Sequence, residues 1–176
     1  EGVSSIGELA FYGCGRVTAV TLPSSVTTIG ARAFKDCTAL TGVRLPEGLT
    51  AIGEAAFESC EKLTSVRLPE GLTAIGSYAF YRCSALSSIT VPASVRSMGM
   101  VVFAYCKGLT GAQILCPISK VPDWTFYKCT ALTAVSMCFP IQALILAFAI
   151  GTAVGMSALI SRYLGARHFD RANKVA

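Results

Sequence analysis

Apolar residues return along this chain at a fixed interval of 23 positions. Phe stands at Phe11, Phe34, Phe57, Phe80, Phe103 and Phe126, and Cys follows three residues later at Cys14, Cys37, Cys60, Cys83, Cys106 and Cys129. An aliphatic column comes next: Val17, Leu40, Leu63, Leu86, Leu109 and Leu132. Two more columns run through Val20, Val43, Val66, Ile89, Ala112, Val135 and through Leu22, Leu45, Leu68, Val91, Ile114, Met137. Pro closes the group at Pro23, Pro46, Pro69 and Pro92; Ile29, Ile52, Ile75, Met98 and Val121 form another column, followed by Gly30, Gly53, Gly76 and Gly99. Self-similarity at such a period is the mark of a solenoid, in which one unit cannot bury its own apolar face but stacked units can.

Residues 63–83, "LTSVRLPEGLTAIGSYAFYRC", show the unit. Val66 and Leu68 alternate with Ser65 and Arg67, so "LTSVRL" predicts a short strand with one apolar and one polar face. Pro69 cannot donate a ladder hydrogen bond and ends it. Gly71 and Gly76 are expected to permit turns. "AFYRC" then brings Phe and Cys inward. With strands ~4.8 Å apart, about six coils make a slab roughly 30 Å long, with each Phe ring on the one before it.

Residues 3–137 resemble the leucine-rich repeats of BspA-like bacterial surface proteins. The matching pattern is L-x-x-I/V-x-L/I-P, then S/E-x-V/L-x-x-I-G, then x-x-A-F-x-x-C. The resemblance implies a secreted or cell-surface β-rich leucine-rich-repeat solenoid that binds host or matrix proteins without catalysis. The fifth copy departs from the pattern: Leu115 replaces Pro, Pro117 comes two places late, and Pro122 stands where Gly is expected. A distorted coil is expected there, with Phe126 back in register.

The chain holds eight cysteines. Six share one column with parallel side chains, an arrangement ill suited to disulfides; they read as small buried hydrophobes. Cys116 and Cys138 fall outside the column and have no assignment. No CxxC occurs and the lone histidine is His168, so metal binding has no support and no cofactor is implied. His168 cannot complete a nucleophilic triad with solenoid residues. Glu47, Glu54, Glu58, Glu61 and Glu70 fall at repeat spacing and read as solvated turn surface, not paired catalytic acids. An enzyme is not expected.

The polar side of the strands is the better candidate. Thr21, Arg44, Arg67, Thr90, Gln113 and Ser136 form an exposed column, and the neighbouring column of Ala19, Gly42, Ser65, Ser88, Gly111 and Ala134 is small enough for a partner's backbone to approach. Arg44 and Arg67 are placed to hold a carboxylate or phosphate together. Thr18, Thr41, Thr64, Ser87, Thr110 and Thr133 open the strands as a hydroxyl ladder supporting the stack.

The repeat stops near residue 137. "PIQALILAFAIGTAVGMSALISRYLG" follows, and Met137 to Ser161 contains no charged residue. That run is long enough to cross a bilayer, in keeping with 53% hydrophobic residues and a mean hydropathy of +0.58. One long C-terminal helix is therefore expected, with membrane contact through residues 139–161. Arg162, Arg167, Arg171 and Lys174 follow it, which puts the tail in the cytoplasm and the solenoid outside. Gly151 and Gly155 form a GxxxG suited to close helix packing. The expected domains are thus a solenoid, 1–137, and a membrane segment with basic tail, 138–176.

Residues 140–176 also resemble the second transmembrane helix and following loop of the MATE multidrug efflux transporters. The likeness rests on Pro140, the Gly/Ala-rich helix, "LISRYLGA" at 159–166 and "RANKVA" at 171–176. It implies a Na⁺ or H⁺ antiporter of about a dozen helices, of which a single span cannot form the substrate path. No linker separates the two parts, so the junction points to a chimeric gene model, a misassembled fusion or a truncated product. The chain begins at Glu1 without Met or signal peptide and reads as a fragment. Its +5 net charge is uneven: residues 1–137 carry 11 Lys/Arg and 9 Asp/Glu, and residues 138–176 carry four and one. A near-neutral solenoid does not support a nucleic-acid footprint, and no nucleic-acid partner is expected.

Overall fold

The computed structural model describes residues 2–118 and 120–137. The membrane helix expected at 139–161, Gly151, Gly155, Cys138 and the basic tail lie outside the described residues. Among the described residues no helix is long and apolar enough to cross a membrane.

Every regular element among the described residues is a short strand. In chain order they are β1 (Ser5–Ile6), β2 (Ala19–Thr21), β3 (Thr28–Ile29), β4 (Gly42–Arg44), β5 (Ala51–Ile52), β6 (Ser65–Val66), β7 (Ala74–Ile75), β8 (Ser88–Val91), β9 (Ser97–Met98), β10 (Gly111–Ile114) and β11 (Ala134–Met137). They form parallel sheets in which each strand pairs with the residue 23 positions on: Val20 with Val43, Ile52 with Ile75, Gln113 with Ser136. One side carries β2-β4-β6 and β8-β10-β11 as two three-stranded sheets; another carries the five-stranded sheet β1-β3-β5-β7-β9. The coil therefore holds two strands where the sequence pattern alone predicts one.

The fifth coil is distorted as its residues suggest. In the earlier coils the glycine N–H after the second strand bonds to the coil before it: Gly53 to Ile29 O, Gly76 to Ile52 O and Gly99 to Ile75 O, each at 2.8 Å. Pro122 occupies that position and has no N–H. The five-stranded sheet ends at β9.

The interior is a set of continuous rows. Phe11, Phe34, Phe57, Phe80, Phe103 and Phe126 stack with ring centroids 5.0–5.7 Å apart and planes within 13° of parallel. Offset stacking of this kind contributes ~0.5–1.5 kcal/mol per pair beyond area burial. Beside the rings, Cys37, Cys60, Cys83, Cys106 and Cys129 donate Sγ–H bonds to the carbonyls of Phe11, Phe34, Phe57, Phe80 and Phe103, at 3.0–3.2 Å. The cysteines thus tie each coil to the Phe of the coil before it. All seven described cysteines are free thiols. Cys116, unassigned from sequence, packs in the same core.

The third side of the coil has no strands, yet its backbone is bonded from coil to coil. Arg32, Phe34 and Asp36 donate to Glu54, Ala56 and Glu58 carbonyls at 2.8–2.9 Å, and Tyr78, Phe80 and Arg82 donate to Met100, Val102 and Ala104 at 3.0 Å. These bonds use left-handed residues at two positions per coil, such as Arg32 and Asp36, Ala55 and Ser59, and Tyr78 and Arg82. A Cβ makes that conformation costly, about 1–2 kcal/mol per residue, and the bonds it allows offset the cost. Among the described residues only Gly13 fills such a site with glycine.

Gly71 lies in the turn closed by the Leu72 N–H on the Pro69 carbonyl, and at both Gly71 and Gly76 a Cβ would meet the preceding coil. A Cβ on Gly76 would lie 2.5 Å from the Glu54 backbone nitrogen, and one on Gly71 would lie 2.9 Å from the Glu47 carbonyl oxygen. Neither has a positive φ. They are small because the preceding coil passes against them.

Candidate functional site

The alternation that drives Val20, Val43, Val66, Ile89, Ala112 and Val135 inward leaves their neighbours facing solvent. Thr21, Arg44, Arg67, Thr90, Gln113 and Ser136 are all exposed. Register places Thr21 beside Arg44, and Thr90, Gln113 and Ser136 in one row across β8, β10 and β11. Thr90 and Gln113 are in contact through Oγ1 and Oε1 at 3.4 Å. The ladder between β4 and β6 ends at Val66, so Arg67 lies just past it, at the division between the two sheets. Its guanidinium lies 3.5 Å from Glu47 Oε1, with both side chains mostly exposed.

The small column matters most on the second sheet. Ser88, Thr90, Gly111, Gln113, Ala134 and Ser136 surround a shallow concavity of about 320 Å³, floored by Ile89 and Ala112. A Cβ added to Gly111 or Gly42 would meet nothing within 4 Å, so the space above both is open.

The hydroxyl ladder frames this face. Thr41, Thr64, Ser87, Thr110 and Thr133 each donate to the carbonyl of the corresponding residue in the preceding coil, at 2.9–3.3 Å. A second ladder, not read from the sequence, runs through Thr27, Thr50 and Thr73 at 3.0–3.2 Å. Both fix the coil spacing and hence the spacing of the exposed side chains.

The fully stacked cysteines are not poised for nucleophilic chemistry. Burial pushes the Cys60, Cys83 and Cys106 thiols far up, and Cys129 up to about 12. The thiolate is the reactive form, and burial disfavours it at these positions. Among the described residues no group of three or more His, Cys, Asp or Glu side chains is placed to hold a metal ion. The least exposed ion pair among the described residues is Lys35 with Glu58 at 2.9 Å, and its hydrogen bond raises the lysine pKa. The Sγ–H bonds and the left-handed positions escaped the sequence reading because no residue preference announces them; only their 23-residue recurrence could have.

Known structures share this fold. The T. pallidum leucine-rich-repeat protein TpLRR is 33% identical, with a TM-score of 0.72 over 78% of this chain and 64% of its own. A leucine-rich-repeat protein of Bacteroides ovatus is 31% identical, with a TM-score of 0.63 over 78% of this chain and 41% of its own. A leucine-rich cell surface protein of Faecalibacterium prausnitzii is 29% identical, with a TM-score of 0.58 over 77% of this chain and 43% of its own. The chain thus spans less than two thirds of each. No curated protein matches. The MatE family matches residues 127–176, which overlap the last coil. Residues 4–133 match the BspA type leucine-rich-repeat region in six copies. With its stacked Phe and Cys rows and parallel strands in 23-residue register, the chain belongs to the BspA-type leucine-rich-repeat family.

Proposed function

We propose that this solenoid is a non-catalytic recognition scaffold, displayed at a cell surface, that holds a host or matrix protein on its strand face. The observation that carries the reading is the exposed row Thr90, Gln113 and Ser136 beside the open space over Gly111. A partner backbone can approach there and meet hydroxyl and amide groups at regular spacing. Thr21, Arg44 and Arg67 extend the row along the first sheet. The relative described as a cell surface protein supports the location, and the charge-free run at 139–161 supports a tether with the basic tail inside.

The test is binding of the whole chain to immobilised fibronectin, collagen and laminin. Gly111→Trp fills the concavity without touching the core, and Arg44→Ala/Arg67→Ala removes the cations. Loss of binding by at least about tenfold in Gly111→Trp is expected for a central interface residue. Equal binding by wild type and both variants sinks the proposal.

A second reading is favoured by the MatE match at 127–176: the tail is a piece of a transporter joined to the repeats. Sequencing through the codons for residues 135–140 and along the longer reading frame separates the two. Further hydrophobic spans support the transporter fragment, and further repeats or a single anchor support the surface scaffold.

A further inference from the structure

The charge balance of the solenoid changes halfway along. Residues 2–76 carry six Lys/Arg and seven Asp/Glu, and several pair with one another: Arg32 lies near Glu8 and Glu54, and Lys35 bonds Glu58. Residues 77–137 carry five Lys/Arg and one carboxylate, Asp123, which is bound to Lys120 at 2.8 Å.

In this second half two cations lie on tyrosine rings instead. The Arg82 guanidinium sits 5.5 Å from the Tyr81 ring centroid and 5.7 Å from that of Tyr105. The Lys128 ammonium sits 5.8 Å from Tyr105 and 5.7 Å from Tyr127. The rings meet edge to face, Tyr81–Tyr105 at 5.4 Å and Tyr105–Tyr127 at 5.5 Å, and Tyr78 and Trp124 extend the strip at its two ends. The repeat explains how it is built. Arg82, Tyr105 and Lys128 occupy one column position in successive coils, and the small Ala104 between Tyr81 and Tyr127 leaves room for the Tyr105 ring. Neither Arg82 nor Lys128 has a carboxylate partner among the described residues, and both are exposed.

We infer that this strip is a second interaction surface, which binds an extended acidic segment of a partner protein. The rings hold the two cations in place, so little side-chain freedom is lost on binding. Arg82 and Lys128 are two coils apart, roughly 10 Å, and an extended chain covers that in about three residues. Two carboxylates at that spacing meet both cations, while apolar side chains flanking them meet Tyr78 and Trp124, which are 39% and 45% exposed. A saccharide is the poorer fit, because the tyrosine faces it would stack on already carry cations.

The test is fluorescence anisotropy of the whole chain with a labelled extended peptide carrying two glutamates about three residues apart, flanked by leucines. The same peptide with glutamines and a labelled heparin oligosaccharide are the other arms. The glutamate peptide is expected to bind, the glutamine peptide to bind at least about tenfold more weakly, and added salt to weaken the complex. Arg82→Glu/Lys128→Glu abolishes binding and Arg82→Gln/Lys128→Gln weakens it at least about tenfold, with the circular dichroism of the fold unchanged in the milder variant. Gly111→Trp, on the strand face, leaves this binding intact, so failure here and failure of the strand-face proposal are distinguishable. Equal binding of the two peptides, undiminished binding by the glutamine variant, or binding of heparin without the glutamate peptide overturns the inference.

Discussion

The buried thiol column should make the fold sensitive to alkali. Cys60, Cys83, Cys106 and Cys129 have their pKa raised by burial, Cys129 up to about 12 and the others further. An exposed thiol in the unfolded chain ionises near pH 8.5, at about its ordinary value. Below that both states hold the proton and the column contributes its full stability. Above it the unfolded chain releases protons that the folded chain keeps, so stability falls with pH until the folded thiols themselves titrate. The window therefore opens near pH 8.5 and extends to about 12 for Cys129. Each retained proton costs slightly more than about 1 kcal/mol between about pH 9 and about pH 10, or roughly 5 kcal/mol for the four together. Urea unfolding of the whole chain, with reductant present, measures this directly. Lys35 adds loss in the same direction, since its raised pKa reflects the bond to Glu58, so the comparison must be with a thiol variant. Cys83→Ala/Cys106→Ala should be less stable at neutral pH but should lose about 2 kcal/mol less than wild type over that pH step. An identical loss in both proteins, or rapid reaction of the native thiols with a disulfide reagent at neutral pH, would show that the column is not buried as described.

Phe80 is fully buried between Phe57 at 5.3 Å and Phe103 at 5.5 Å; Phe80→Ala should cost about 3–5 kcal/mol in urea unfolding. Phe11, at the end of the row and 37% exposed, should cost less than half as much when truncated, and equal costs would refute a continuous stack. Gly76→Ala sets a methyl 2.5 Å from the Glu54 nitrogen and should destabilise by about 1–3 kcal/mol. Gly42→Ala meets nothing within 4 Å and should stay within about 0.5 kcal/mol of wild type by the same assay.

Phe, Cys and the aliphatic columns were legible in the sequence because burial demands the same residue type at the same place in every coil. Their 23-residue spacing carries the solenoid, the parallel register and the exposed row with it. The second strand was less visible. It spans two residues per coil, as in Ala51–Ile52, too short for alternation to signal. Pro122 announced a disturbance, but only the coil-to-coil bond from Gly76 to Ile52 shows what a proline there removes. The column that places Arg44 beside Arg67 does not show their other neighbours: Glu47, at a turn of the preceding coil, lies 3.5 Å from the Arg67 guanidinium. A column table treats positions 44 and 67 as equivalent neighbours and cannot register a partner that comes from another column.

The same logic separates scaffold from specificity. A position whose side chain touches its own counterpart in the next coil is constrained by that contact, as Phe57 is by Phe80 and Thr64 by Thr41. A change at one such place disturbs two interfaces at once, since stability in a stacked array is carried by nearest-neighbour contacts. Positions 82, 105 and 128 read Arg, Tyr and Lys, and they meet through cation–ring contacts that require no single residue type along the column. The same column in earlier coils reads Gly13, Asp36 and Ser59. Residues with such different charge and size can follow one another only where the backbone, not the side chain, makes the coil-to-coil bond. Asp36, Ser59, Arg82 and Tyr105 all donate that bond, at 2.7–3.0 Å. The left-handed backbone at this column thus makes the coil-to-coil bond whatever side chain it carries, which places the variable chemistry of the molecule where the fold depends on it least.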